Sequence, residues 1–131
     1  MVADAKSVSL QALLMCDVVA HSERLSSLNI IGIFHAIRMT AFPAAMPQFS
    51  VYVAWLGGSA QTPLEVRLID PDGKVITASK PMPSAPLLDA SLPQQSVFVF
   101  GGVRVEKPGN HAVQAFAGRE YLGEAPLRID G

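Results

Sequence analysis

SVFVFGGVRV, residues 96–105, alternates apolar side chains with a period of two, which is the pattern of a β-strand. Counted straight through the two glycines, the alternation gives one face Val97, Val99, Val103 and Val105 and the other face Phe98 and Phe100. A strand at the surface of a small antiparallel domain is normally apolar on one face and polar on the other. This stretch therefore predicts a strand whose second face also needs cover.

The same period of two recurs along the chain, whereas the helical period of 3.6 is nearly absent. Candidate strands separated by turn-forming residues lie at 8–18, 30–39, 49–56, 63–70, 74–80, 96–105, 111–117 and 121–129. The turns between them include PDG at 71–73, KPGN at 107–110 and GRE at 118–120. Seven or eight short strands and no visible linker predict an antiparallel sandwich or barrel that occupies residues 1–131 as a single domain.

Composition narrows the classes of function. Charged residues are 16% of the 131 residues, against about 25% in typical domains, and hydrophobic residues are 50%. The ten Lys and Arg residues form no cluster, so we expect no nucleic-acid partner. No apolar run approaches the length of about 18 residues that a membrane span needs. One cysteine and the absence of a recognisable signal segment favour a reducing, cytoplasmic location.

Two resemblances extend this interpretation. FVFGGVRVEKPGNHAVQAFAGREYLGEAPLRI, residues 98–129, resembles the closing strands of bacterial immunoglobulin-like sandwiches, although His111 stands where those domains often place a tyrosine. ALLMCD, LNIIGIFHAI and FPAAMPQFSVYVAWL together resemble an uncharacterised bacterial family of about this length. These resemblances imply an immunoglobulin-like antiparallel β-sandwich of seven to eight strands, and they imply no activity.

The resemblance also implies a sheet assignment. Strands 30–39, 49–56 and 96–105 would form one sheet, and 63–70, 111–117 and 121–129 the other. The second sheet would then present ordinary outward residues, namely Glu65, Arg67, Gln114 and Arg128, with Phe116 as the exception. The first sheet would project Phe34, Tyr52, Ala54, Leu56, Phe98 and Phe100. These side chains would expose an apolar patch on the order of 400–600 Å², a size that usually marks a contact site or a liability.

Three coverings compete for that apolar face. Residues 8–18, or Leu87, Leu88 and Leu92 of the proline-rich connection 81–95, would cover it internally. Self-association into a homo-oligomer, sheet face on sheet face, would cover it from outside. A different protein partner would do the same and belongs with the third covering. The third covering is a small ligand, including a carbohydrate stacked on Tyr52 and the phenylalanines, although Trp55 lies on the core-facing row. The sequence favours a non-catalytic interaction or structural module that self-associates, with a ligand- or carbohydrate-binding domain as the alternative.

An enzyme or metal site using Cys16, Asp17, His21 and Glu23 is the less favoured reading. His21 would activate the Cys16 thiol only if the chain turned back at Ala20. Alternation instead places Cys16 on an apolar row with Leu14 and Val18, where a thiol is a small hydrophobe. Asp17, His21 and Glu23 have the side-chain types of metal ligands, but their spacing matches no defined metal site. We therefore expect no catalytic residues, no metal and no cofactor.

Four further features have structural interpretations. His35 lies between Ile33 and Ile37 on the expected core row and is predicted to be buried. His111 is expected at a turn or corner beside the Pro-Gly pair. DPDG, residues 70–73, is predicted to be a hairpin turn, since it lacks the other ligands of a calcium loop. Gly101 and Gly102 are expected to mark a bulge or a close backbone approach.

Overall fold

The computed structural model describes residues 8–25, 27–57, 62–83 and 92–131, in which the chain forms twelve strands. The strands are β1 (Val8–Ser22), β2 (Ser27–Phe34), β3 (Ala36–Arg38), β4 (Ala44–Ala45), β5 (Phe49–Gly57), β6 (Pro63–Ile69), β7 (Val75–Ala78), β8 (Met82–Pro83), β9 (Gln94–Phe100), β10 (Arg104–Val105), β11 (Gly109–Ala117) and β12 (Glu120–Asp130). Eight of them have four residues or more, which agrees with the predicted number of strands. No helix long and apolar enough to span a membrane occurs in these residues.

Ten of the strands form two packed sheets, and β4 and β10 pair with each other as a separate two-stranded ladder. One has four strands in the order β2-β1-β5-β9, and the other follows the path β3-β12-β11-β6-β7, with β8 paired to β6. The neighbours β6, β11 and β12 correspond to the C, F and G strands of an immunoglobulin sandwich, and β5 with β9 to its B and E strands. The predicted all-β, immunoglobulin-like antiparallel sandwich is therefore confirmed.

The first difference from prediction lies at residues 30–39, which are not one strand. β2 ends at Phe34 in the four-stranded sheet, and β3 begins at Ala36 in the other sheet, where it runs parallel to β12. The backbone N–H of Arg128 donates to the carbonyl oxygen of His35 at 2.9 Å, so His35 marks the change of sheet. The prediction that His35 is buried is wrong, because its side chain is exposed at this crossing.

The second difference concerns the N-terminal strand. β1 lies inside the four-stranded sheet, paired with β2 on one side and with β5 on the other. It therefore does not cross the outside of that sheet, and the internal cover considered for residues 8–18 is wrong. A shift of register between Leu10 and Ala12 marks a bulge in the pairing of β1 with β5.

The core lies between the two sheets and follows the predicted alternation of β5. Phe49, Val51, Val53 and Trp55 all face inward, and Trp55 is fully buried. The opposing rows come from the second sheet, with Leu64, Val66 and Leu68 on β6 and Leu127 and Ile129 on β12. His111, expected at a turn, is instead buried within β11, where its Nδ1 lies 3.1 Å from the carbonyl oxygen of Gly109.

A candidate interaction surface

The register of β9 differs from the prediction. Phe98 pairs opposite Val51 and Phe100 opposite Phe49, so both phenylalanines enter the core, while Val99 points outward and is 61% exposed. Val103 and Val105 are nevertheless buried in the same core. The inward side thus changes from even to odd positions across Gly101 and Gly102, where the strand is interrupted and Gly102 has φ +66°. A straight count through the glycines put Phe98 and Phe100 on the wrong face.

The register of β2 is corrected in the same way. Phe34, predicted to point outward, packs against the core, with its ring centroid 6.0 Å from that of Phe49 in an edge-on arrangement. Ile31 and Ile33, predicted to face the core, point outward and are 50% and 52% exposed. The count failed because it ran on to Ile37, which packs on the core from the other sheet after the crossing at His35.

The outward side of the sheet β2-β1-β5-β9, called the outer face from here on, carries no charged side chain. The pairings place neutral residues at every outward position of the four strands. Its apolar members are Ala12, Leu14, Cys16, Val18, Ala20, Ile31, Ile33, Tyr52, Ala54, Leu56, Val97 and Val99. An uncharged sheet face of this width is unusual on a soluble domain, because one face of an antiparallel sheet is normally polar.

The centre and the margins of the outer face differ in exposure. Ile33, Cys16, Ser50 and Val99 form one cross-strand row through all four strands. Cys16 and Ser50, at the centre of this row, are buried, whereas Ile33 and Val99 at its ends are more than half exposed. Val18 and Ile31 extend the exposed margin on the β2 side. Large aliphatic side chains are therefore presented along both edges of a buried centre.

Of the predicted binding residues, Tyr52 and Leu56 lie on the outer face. Tyr52 is only 8% exposed, and its hydroxyl accepts a hydrogen bond from Gln95 Nε2 at 2.5 Å. Leu56 is half-buried. With Phe34, Phe98 and Phe100 turned inward, the outer face lacks the exposed aromatic platform expected for stacking on a sugar.

The segment 81–95, considered as an internal cover, lies mostly outside the described residues. Leu87 and Leu88 fall outside the described residues. Leu92 is described and is 60% exposed, so its own side chain is largely open to solvent. The residues that sequence reasoning missed are Val18, Ile31, Ile33 and Val99. The glycine pair indicated a break in the strand after Phe100, but not which side of the strand is buried.

The outward side of the second sheet provides a contrast. Arg67 Nε donates to Glu65 Oε2 at 2.6 Å, and its guanidinium lies 4.0 Å from the centroid of the Phe116 ring. Tyr121 and Gln114 both donate to Glu124 Oε1, at 2.9 and 3.2 Å. The expected charged and polar residues therefore lie on this side, and the Arg67 guanidinium also partly covers Phe116, which the sequence did not predict.

The enzyme and metal reading finds no geometric support in the described residues. β1 runs on to Ser22 without turning back at Ala20, so His21 lies roughly 16 Å along the strand from Cys16. Burial raises the pKa of the Cys16 thiol, and the neighbouring charge of Asp17 raises it further, so the reactive thiolate is disfavoured. No group of three or more metal-ligating side chains occurs in the part of the chain that the structure describes.

Comparison with known protein families identifies the family of this chain. The chain belongs to the family of unknown function DUF6941, which it matches over residues 11–130. This membership confirms the resemblance to an uncharacterised family. A search of curated protein sequences finds no match.

Solved structures share the fold at low identity. An alkylpurine DNA glycosylase from Pseudomonas fluorescens, bound to DNA containing an abasic site analog, is 14% identical over 96% of this chain and 31% of its own, with a TM-score of 0.53. A β-glucosidase from Listeria innocua in complex with glucose is 10% identical over 95% of this chain and 16% of its own, with a TM-score of 0.50. An immunoglobulin-like protein from Pseudomonas aeruginosa is 15% identical over 95% of this chain and 98% of its own, at 0.49. The chain thus spans less than a third of either enzyme, and the likeness shows the fold alone.

Proposed function

We propose that the chain is a non-catalytic interaction module that self-associates through the outer face, sheet against sheet. The observation that carries this proposal is the exposure of Val18, Ile31, Ile33 and Val99, between 45% and 61%, on a sheet face without charge. Removing such side chains from water is favourable at about 25 cal/mol per Å² of apolar area.

A second copy is the partner that this surface fits best. Two sheet faces pack about 10 Å apart when their aliphatic side chains interdigitate, and a face that lacks charge meets no repulsion from its own copy. A twofold contact of this kind uses the same patch on both chains and closes on itself. A hetero-partner would need a matching apolar surface of its own, whereas the second copy supplies one by symmetry.

The size of the surface sets the expected strength. Four strands about 4.8 Å apart and about seven residues long, at about 3.3 Å per residue, give a footprint of about 450 Å². Two such faces bury about 900 Å², just below the range of about 1,200–2,000 Å² that is usual for stable interfaces. We therefore expect a reversible dimer with a dissociation constant in the micromolar range or weaker.

Sedimentation equilibrium over a wide range of protein concentration tests the proposal. The wild-type chain is expected to form dimers as concentration rises, and both Val99→Asp and Ile33→Asp to remain monomeric, because each places a charge in the contact. Val75→Asp is the matched control, since Val75 is 49% exposed on β7 of the other sheet. A wild-type chain that stays monomeric throughout, or a dimer that survives Val99→Asp and not Val75→Asp, contradicts the proposal.

A further inference from the structure

A cavity of about 280 Å³ opens at the end of the sandwich where β2 passes over to β3. It lies on the core side of the four-stranded sheet and is therefore separate from the outer face. Its wall is formed mainly by Phe34, Ile37, Met46 and Phe49, and Asp17 and Gln48 contribute the polar side chains. At about 30 Å³ per water-sized group, it holds roughly nine non-hydrogen atoms.

The charge at this cavity is unbalanced. Asp17 is exposed to solvent at the cavity lining, and no Lys, Arg or His side chain pairs with its carboxylate among the described residues. A lone carboxylate beside an apolar wall favours a cation from outside.

Gly32 leaves the space that Asp17 occupies. A β-carbon built on Gly32 would lie 2.9 Å from the β-carbon of Asp17. Gly32 also has a φ of +74°, a backbone conformation that residues other than glycine rarely adopt. The absent side chain therefore lets β1 and β2 approach directly beside Asp17. The cavity wall also brings two aromatic rings together, since Phe34 and Phe49 meet edge-on with their centroids 6.0 Å apart, and such rings pack against an apolar ligand body.

We propose that this cavity binds a small organic cation, with a primary ammonium on the Asp17 carboxylate and an alkyl or aryl body against Phe34 and Phe49. The charge specifies an amine, and the apolar wall specifies a body of six to nine non-hydrogen atoms, on the order set by the cavity volume. The site does not depend on the proposed self-association, because it uses the opposite side of the sheet.

Titration of the ¹⁵N-labelled chain with 2-phenylethylamine, followed by NMR, tests the site, and 2-phenylethanol serves as a neutral probe of the same shape. The amine is expected to shift the amide signals of Asp17, Gly32 and Phe49 to saturation. The alcohol is expected to bind about tenfold more weakly, because it lacks the charge-assisted contact. Val99→Asp, which removes the proposed dimer contact, is expected to leave amine binding unchanged.

Two variants separate charge from shape. Asp17→Asn is expected to weaken amine binding about tenfold and to leave alcohol binding unchanged. Glu120→Gln is the matched control, because it removes another exposed carboxylate, at the start of β12 in the second sheet, and should change neither titration. Ile37→Trp fills the cavity and is expected to abolish binding of both probes.

Three results overturn the proposal. Equal affinity for amine and alcohol would remove the role of charge, and an unchanged amine affinity in Asp17→Asn would remove the role of that carboxylate. Signal changes confined to residues far from Asp17 and Phe49 would place the binding elsewhere. Each of these results leaves the self-association proposal untouched, since that is measured without any amine.

Discussion

Gly109 is the residue at which two turns of the sandwich meet. Its φ is +139°, a conformation that is open almost only to glycine, and a β-carbon there would lie 2.8 Å from Pro71 Cγ in the PDG turn. Lys107 Nζ also donates to Asp72 across the same junction. We expect Gly109→Ala to lower the free energy of unfolding by about 2–4 kcal/mol, through backbone strain and overlap with the proline ring.

Urea unfolding measures this loss, and Gly101→Ala provides the comparison. Gly101 lacks a positive φ, and the nearest atom to its built β-carbon is Gln48 Oε1 at 3.6 Å, which is ordinary contact. Its replacement is expected to change stability by less than about 1 kcal/mol. Equal losses for the two alanine variants would show that neither the backbone angle of Gly109 nor its contact with Pro71 matters.

Asp70 makes the stability of the folded chain depend on pH. Its Oδ1 accepts from the backbone N–H groups of Lys74 at 2.8 Å and of Asp72 at 2.9 Å. The Lys74 hydrogen bond is the largest cause and lowers the pKa of the Asp70 carboxyl. Burial opposes it as the second-largest effect, and the Asp72 hydrogen bond and the charges of Lys107 and Lys74 lower the pKa further. The ionised form is thus favoured in the folded state.

Because the folded pKa lies below the unfolded value of about 3.9, the stabilisation from Asp70 is complete above that pH and is lost as the pH falls through the folded pKa. Asp70→Asn keeps an oxygen acceptor and removes the charge. We expect its melting temperature to lie below that of the wild type at pH 7 and the gap to close below about pH 4. A gap that widens on acidification would reverse the sign of this argument.

The register of β9 predicts different effects for substitutions at two adjacent positions. Phe98 is buried opposite Val51, whereas its neighbour Val99 is exposed, so the two adjacent positions have opposite effects on the core. Phe98→Ala is expected to lower the free energy of unfolding by about 3–5 kcal/mol, because it leaves a cavity. Val99→Ala should change it by no more than about 0.5 kcal/mol in dilute, monomeric protein.

Guanidinium unfolding of the two variants compares these losses directly. The straight count through residues 96–105 assigns Val99 to the core and Phe98 to the surface, so it gives the reverse order. A larger loss for Val99→Ala would therefore restore that count and remove Val99 from the outer face.

The elements show where sequence alternation is reliable. In β5 the inward row from Phe49 to Trp55 was predicted correctly, because no break interrupts the period of two. It failed at Gly101–Gly102 and at His35, where the strand breaks and the inward parity or the sheet changes. A glycine pair indicates such a break. Which side chains of the next strand face the core, however, depends on contacts with the opposite sheet.

At the scale of the whole molecule, local pattern predicted an antiparallel sandwich or barrel, and the resemblance to immunoglobulin-like sandwiches placed most strands in their sheets. The place of β1 between β2 and β5 was not predictable in this way, because strand order depends on pairing between distant segments. An apolar patch on the outer face was predicted, yet most of its exposed members were assigned to the core. The outer face is nevertheless apolar, because the exposed residues Ile31, Ile33 and Val99 are aliphatic and occupy the surface to which the phenylalanines had been assigned.

Self-association through this surface makes the stability of the molecule depend on protein concentration. A dimer that forms only from folded chains raises the melting temperature by mass action, so the wild type is expected to melt higher as its concentration rises. Val99→Asp should melt at one temperature at every concentration. The outer face carries no charge, so sodium chloride between about 0.1 and 1 M should not weaken the effect, since salt screens only charges. Loss of the concentration dependence at high salt would instead assign the contact to charged groups such as Arg67 and Glu124 on the second sheet.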